Sequence, residues 1–116
     1  MLISVISLLE EELHENHIVV SCIVKCGNKV IKTYALIDSG AFSYAFIDSS
    51  FVQFNDLALD PLQTPCTLEV FDGQPVSSGD ITHTVTMNMS MHDHHECKSK
   101  FFVTRLSHYP IVLEIP

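Results

Sequence analysis

The stretch "ITHTVTMNMSM", residues 81–91, narrows the possible folds more than any other part of the chain. Ile81, His83, Val85, Met87, Met89 and Met91 alternate with Thr82, Thr84, Thr86, Asn88 and Ser90. A strand sends successive side chains to opposite faces, so strict period two marks a strand with one face in a core and one in water. A helix would scatter the same apolar residues around its axis. The methionines then pack in a core or an interface, with no redox role implied. His83 falls on the apolar side and reads as a core or rim histidine.

Other strands follow from the same logic. "HIVVSCIV" (17–24) is β-branched and apolar, "KCGNK" (25–29) centres a turn on Gly27-Asn28, and "VIKTYALID" (30–38) returns. "TLEVFDG" (67–73) reads as a strand ending in an Asp72-Gly73 turn. "HDHHE" (92–96) reads as a turn, "CKSKFFVT" (97–104) as the partner of 81–91, and "PIVLEI" (110–115) as a last strand. "LDPLQTP" (59–65) is the proline-rich connector. Helical signals are few: one or two turns over 8–15, and a short helix or 3₁₀ turn over 48–57 with Asp48 as its N-cap. The pattern predicts an all-β fold, a small closed barrel or sandwich with at most one or two short helices.

At 116 residues a single domain is expected, large enough to bury a core. The net charge is −8 with six Lys and Arg, and no stretch supplies the basic patch that nucleic acid or an anionic membrane surface requires. No run approaches the roughly 20 apolar residues of a membrane-spanning helix. The opening "MLISVISLLEEEL" lacks the basic start and the cleavage site of a signal peptide. The expectation is a soluble cytoplasmic protein with Cys22, Cys26, Cys66 and Cys97 as reduced thiols. Cys22 and Cys26 stand four apart on a strand and share a face. In "HDHHEC" (92–97), His92, His94, His95 and Cys97 are zinc-ligand types, but no second ligand pair stands at a recognised spacing. A solvated turn is the reading, with no metal and no cofactor. Ser107 and His108 are adjacent and point apart, which gives no nucleophile–base geometry.

The segment "YALIDSGAFSYAFID" (34–48) ends an apolar strand on Asp38 and follows it at once with Ser39, Gly40 and Ala41. A carboxylate there is costly unless something satisfies it. Gly40 permits a sharp turn and a close approach by another chain. Asp-Ser-Gly is also an ordinary turn sequence. Two such loops meeting face to face would bring two carboxylates roughly 3 Å apart, where they share one proton and hold a water between them.

In its spaced segments the chain resembles the retropepsin-like aspartic proteases of gypsy-type long-terminal-repeat retrotransposon polyproteins. "ALIDSGA" (35–41) is similar to the catalytic loop, and "YAFID" (44–48) to the strand after it. "TLEVFDGQPVSSGDITH" (67–83) is similar to the flap hairpin, and "FFVTRLSHYPIVLEIP" (101–116) to the last apolar strand. The resemblance covers residues 17–116, with 1–16 as an N-terminal extension. It implies a closed retropepsin-like barrel and an aspartic endopeptidase acting on a peptide or polyprotein as a homodimer. Asp38 would be the one catalytic Asp per chain, supported by Ser39, Gly40 and Ala41. Phe71, Asp72, Gly73 and Gln74 would form the flap over substrate. The chain departs from the family at Glu114, where members carry glycine. The helix and terminal strands that follow in the family are expected to be absent, the chain ending at Pro116. The alternative expectation is a catalytically silent relic or protein-interaction module on the same fold.

Overall fold

The computed structural model describes residues 2–4, 18–39, 44–69, 75–92, 94–106 and 108–115. Among them are the strands β1 (Leu2–Ser4), β2 (Ile18–Cys26), β3 (Lys29–Ser39) and β4 (Ala45–Asp48), and the helix α1 (Ser49–Phe54). The strands β5 (Asp60–Glu69), β6 (Pro75–Met91), β7 (His94–Thr104) and β8 (Ile111–Ile115) follow. The sheet order is β1-β5-β6-β2-β3-β8-β4-β7, and β7 pairs back onto β6. Six strands therefore close into a barrel, as expected, with one short helix among the described residues.

β6 holds the architecture together because it has three partners. Its later half pairs with β7 from Thr84 to Met91, and Ser90, Met89 and Asn88 meet β2 on the other edge. Its earlier half pairs with β5 and stands outside the barrel. The change-over falls at Thr84, which is register partner to both Asp60 and Phe102 and is buried.

Two apolar clusters result. Val85, Met87, Met89 and Phe101 meet Cys22, Val24, Ala35, Ile47, Ile111 and Leu113 in one, with Cys26 partly buried against it. Leu36, Phe46 and Val112 meet Ile81 of β6 and Cys66 of β5 in the other. Adjacent residues on one strand thus go to different clusters: Ala35 and Leu36, Phe46 and Ile47, Ile111 and Val112 are all fully buried. Both faces of β3, β4 and β8 are covered, which is why these segments read as continuous apolar runs instead of alternating.

The helix is short, and its ends are tied by side chains and neighbours. Asp48 Oδ2 accepts the Phe51 N–H at 3.3 Å, the N-cap the sequence predicts. At the other end the Asp56 N–H donates to Gln53 O and the Leu57 N–H to Val52 O, with Asp56 at a φ of 53°. That is a Schellman arrangement with its apolar contact supplied by the buried pair Val52 and Leu57. Lys29 Nζ, from the far end of the β2–β3 hairpin, donates to Asn55 O at 2.7 Å and to Asp56 O, placing a cation on the helix C-terminus.

Two expectations are corrected. Residues 59–65 are not a connector: β5 already begins at Asp60 and runs through Pro61 and Pro65. Over this stretch β5 pairs with β6 alone, and its register shifts between Pro61 and Cys66, so the prolines sit on an edge strand at an irregularity, where a missing N–H breaks no ladder. The turn expected over 92–96 is shorter, since His94 already pairs with Met91. His92 turns the chain with a φ of 51°. The helical turns expected over 8–15 lie outside the described residues.

Two substitutions check this account by urea unfolding. Phe46→Ala removes the largest fully buried side chain of the second cluster and is expected to cost about 3–5 kcal/mol. Asp56→Val forces a β-branched residue into the left-handed region and is expected to cost about 1–2 kcal/mol, whereas Asp56→Gly stays near neutral.

Candidate active site

Asp38 and Ser39 are the last residues of β3. β8 runs parallel beside them, with Ala35, Leu36 and Ile37 opposite Ile111, Val112 and Leu113. The ladder ends on Asp38 opposite Glu114 and Ser39 opposite Ile115. A parallel pair cannot be made by a hairpin, so the strand that flanks Asp38 arrives by a long route through β4, α1, β5, β6 and β7. The expected support residues Gly40 and Ala41 lie outside the described residues. So do the expected flap residues Phe71, Asp72, Gly73 and Gln74. The strands on either side of that expected segment are described: β5 ends at Glu69, which pairs with Pro75 at the start of β6.

Sequence reading found Glu114 as a departure but not its position as the register partner of Asp38. It also gave Asp48 only a capping role. The stretch Ala45-Phe46-Ile47-Asp48-Ser49 repeats the pattern of Ala35-Leu36-Ile37-Asp38-Ser39 ten residues later. Asp48 is half-buried and its carboxylate is fully engaged. Besides Phe51 it takes the N–H of Leu106 on Oδ1 at 2.9 Å. The repeated pattern was the available signal that one acid of this kind has a structural use.

His94 and His95 of the histidine-rich hairpin pair with their neighbours on the two strands. His94 Nε2 lies 3.0 Å from Glu96 Oε1, and His95 Nδ1 lies 2.9 Å from the Ser90 hydroxyl. Among the described residues no three His, Cys, Asp or Glu side chains come together as a metal site. A bulge in β7 sets the faces here. Met87 pairs with Ser99 and Met89 with Glu96, so Cys97 and Lys98 both stand opposite Asn88. Lys98 has a φ of 53° and its N–H donates to Asn88 Oδ1 at 2.8 Å. The extra residue shifts the alternation, and His94 and Glu96 line the same cavity as Ser99 and Phe101. This cavity, of about 320 Å³, opens against Leu113 and Ala45. No helix among the described residues is long and apolar enough to cross a membrane.

The family model of the PEG10/RTL1 protease domain matches residues 34–116. The chain belongs to this family. The match runs from β3, including Asp38, through the whole of β8, and the retropepsin-like resemblance of the sequence is borne out with the closed barrel. No solved structure matches the chain significantly.

All four cysteines of this protease-domain family member are free thiols, Cys22 and Cys66 buried and Cys97 exposed. Burial pushes the Cys22 thiol above its ordinary value of 9.0, because the barrel core solvates a thiolate poorly. The unfolded chain therefore releases this proton at a lower pH than the native chain does. The stabilising contribution is present below pH 9.0 and is lost as pH rises past it. Iodoacetamide under native conditions is expected to modify Cys97 first and to reach Cys22 and Cys66 only on unfolding. Peptide mapping reads the order, and equal labelling of all four would contradict the burial.

Proposed function

We propose that the chain is an aspartic endopeptidase that works as a homodimer and hydrolyses peptide bonds within an extended stretch of a polyprotein. Asp38 of each protomer supplies one carboxyl of a shared pair. One carboxylate takes a proton from a water held between them, and the other donates its proton to the scissile carbonyl oxygen. Ser39, Gly40 and Ala41 shape the loop, and Phe71, Asp72, Gly73 and Gln74 close over a substrate that lies as an added strand. The single observation that carries this reading is the position of Asp38 at the end of a β3–β8 parallel ladder in a protease-domain family. The four free thiols suit a reducing, cytoplasmic setting.

A second reading, a silent retropepsin-like interaction module, is favoured by Glu114. It stands where the resemblance implies glycine, in register with Asp38 in the ladder.

The test is cleavage of a peptide library by parent, Asp38→Asn and Glu114→Gly chains, with sedimentation of each. The protease reading expects Asp38→Asn to lose about 10²–10⁴-fold in rate or more, as for removal of a general base, while it stays folded and dimeric. Because one carboxyl of the pair must hold a proton, the parent's rate is expected to rise below neutral pH. A parent that sediments as a monomer and cleaves nothing leaves the interaction-module reading in possession.

A further inference from the structure

The geometry points to Asp48 as a positioning residue that sets β8 against β3 and thereby fixes where Asp38 stands; the inference rests on the protease reading for its effect on turnover. Four elements meet at Asp48. It is the last residue of β4 and the register partner of Thr104, the buried last residue of β7. It caps α1 through Phe51. Its own N–H donates to Pro110 O at 2.8 Å, one step before the Ile47–Ile111 pair that opens the β4–β8 ladder. Its Oδ1 accepts the Leu106 N–H at 2.9 Å, inside the connection that carries the chain from β7 to β8.

Among its described residues, 105–106 and 108–110, that connection has no helix or strand. Its first part is held by the Asp48 carboxylate and its last by the Asp48 amide. A half-buried carboxylate accepting two backbone N–H groups makes charge-assisted bonds, the stronger kind. The residue that β4 and β8 share with this connection is thus Asp48, and β8 is also the strand whose register with β3 runs up to Asp38 and Glu114. The acid acts through β8 and makes no contact with substrate.

The test separates capping from positioning. Asp48→Ser keeps an N-cap acceptor for Phe51, since serine caps as well as aspartate, but removes the second oxygen that reaches Leu106. Asp48→Asn keeps one acceptor oxygen and is the milder variant. Residue-resolved amide hydrogen exchange on each chain is read together with kcat and KM on a cleaved peptide. In Asp48→Ser the Phe51 amide is expected to keep its protection. The Leu106 amide and those of Ile111–Leu113 are expected to exchange about tenfold faster or more, the weight of one hydrogen bond to a charged acceptor. The kcat is expected to fall by a similar factor with KM nearly unchanged, and Asp48→Asn to lie between serine variant and parent. Unchanged β8 amides beside a freed Leu106 amide would overturn the inference, as would a kcat equal to the parent's. The exchange measurement reads the strand pairing without turnover. A parent that hydrolyses nothing therefore defeats the protease reading, while the amides still judge Asp48.

Discussion

The parallel pairing of β3 with β8 is the constraint on which the rest of the structure depends. Parallel neighbours cannot be adjacent in the chain, so everything between Ser39 and Ile111 serves in part to bring β8 home. The pair is covered on both faces, by the barrel core on one side and by Ile81 and Cys66 on the other. Covering the second face is what the outer halves of β5 and β6 do. Folding the β5–β6 arm back over β3 and β8 buries Leu36 and Val112 against Ile81 and Cys66.

Two acids that follow near-identical sequence, Ala35-Leu36-Ile37 and Ala45-Phe46-Ile47, stand at different kinds of place in the fold. Asp48 closes a strand whose neighbours all turn toward it, and its oxygens and amide are spent on backbone groups of two other segments. Asp38 stands one residue before the end of β3, in register with Glu114, one residue before the end of β8. The first arrangement converts a carboxylate into architecture. The second sets one acid in register with another near the end of a parallel pair.

Much of this was legible in the residues. Alternation from Ile81 to Met91 located the central strand, and Ile81, Val85, Met87 and Met89 are buried as that alternation requires. Asp48 was legible as a cap because capping is a local interaction. What was not legible depends on partners distant in sequence. Leu106 lies far along the chain from Asp48, and nothing local to either announces the bond. Lys29 reaches the end of α1 for the same reason unannounced. Pro61 and Pro65 argued against a strand because proline propensity counts lost ladder bonds, and it cannot see that β5 is an edge there. Glu114 was read against a family pattern, but its pairing with Asp38 is a matter of register, which only the assembled sheet defines.

The bulge at Lys98 makes the β6–β7 hairpin a strand pair of two phases. Upstream of it the residues that face the cavity fall on even positions, His94 and Glu96, and downstream on odd ones, Ser99 and Phe101. Exchanging one side chain for another leaves that alternation alone. Losing or gaining a single residue between Glu96 and Ser99 would put the two phases out of step, turning either the hairpin tip or the aromatic anchor to the wrong side. At the exposed tip of this hairpin a change of side chain is therefore borne more easily than a change of length.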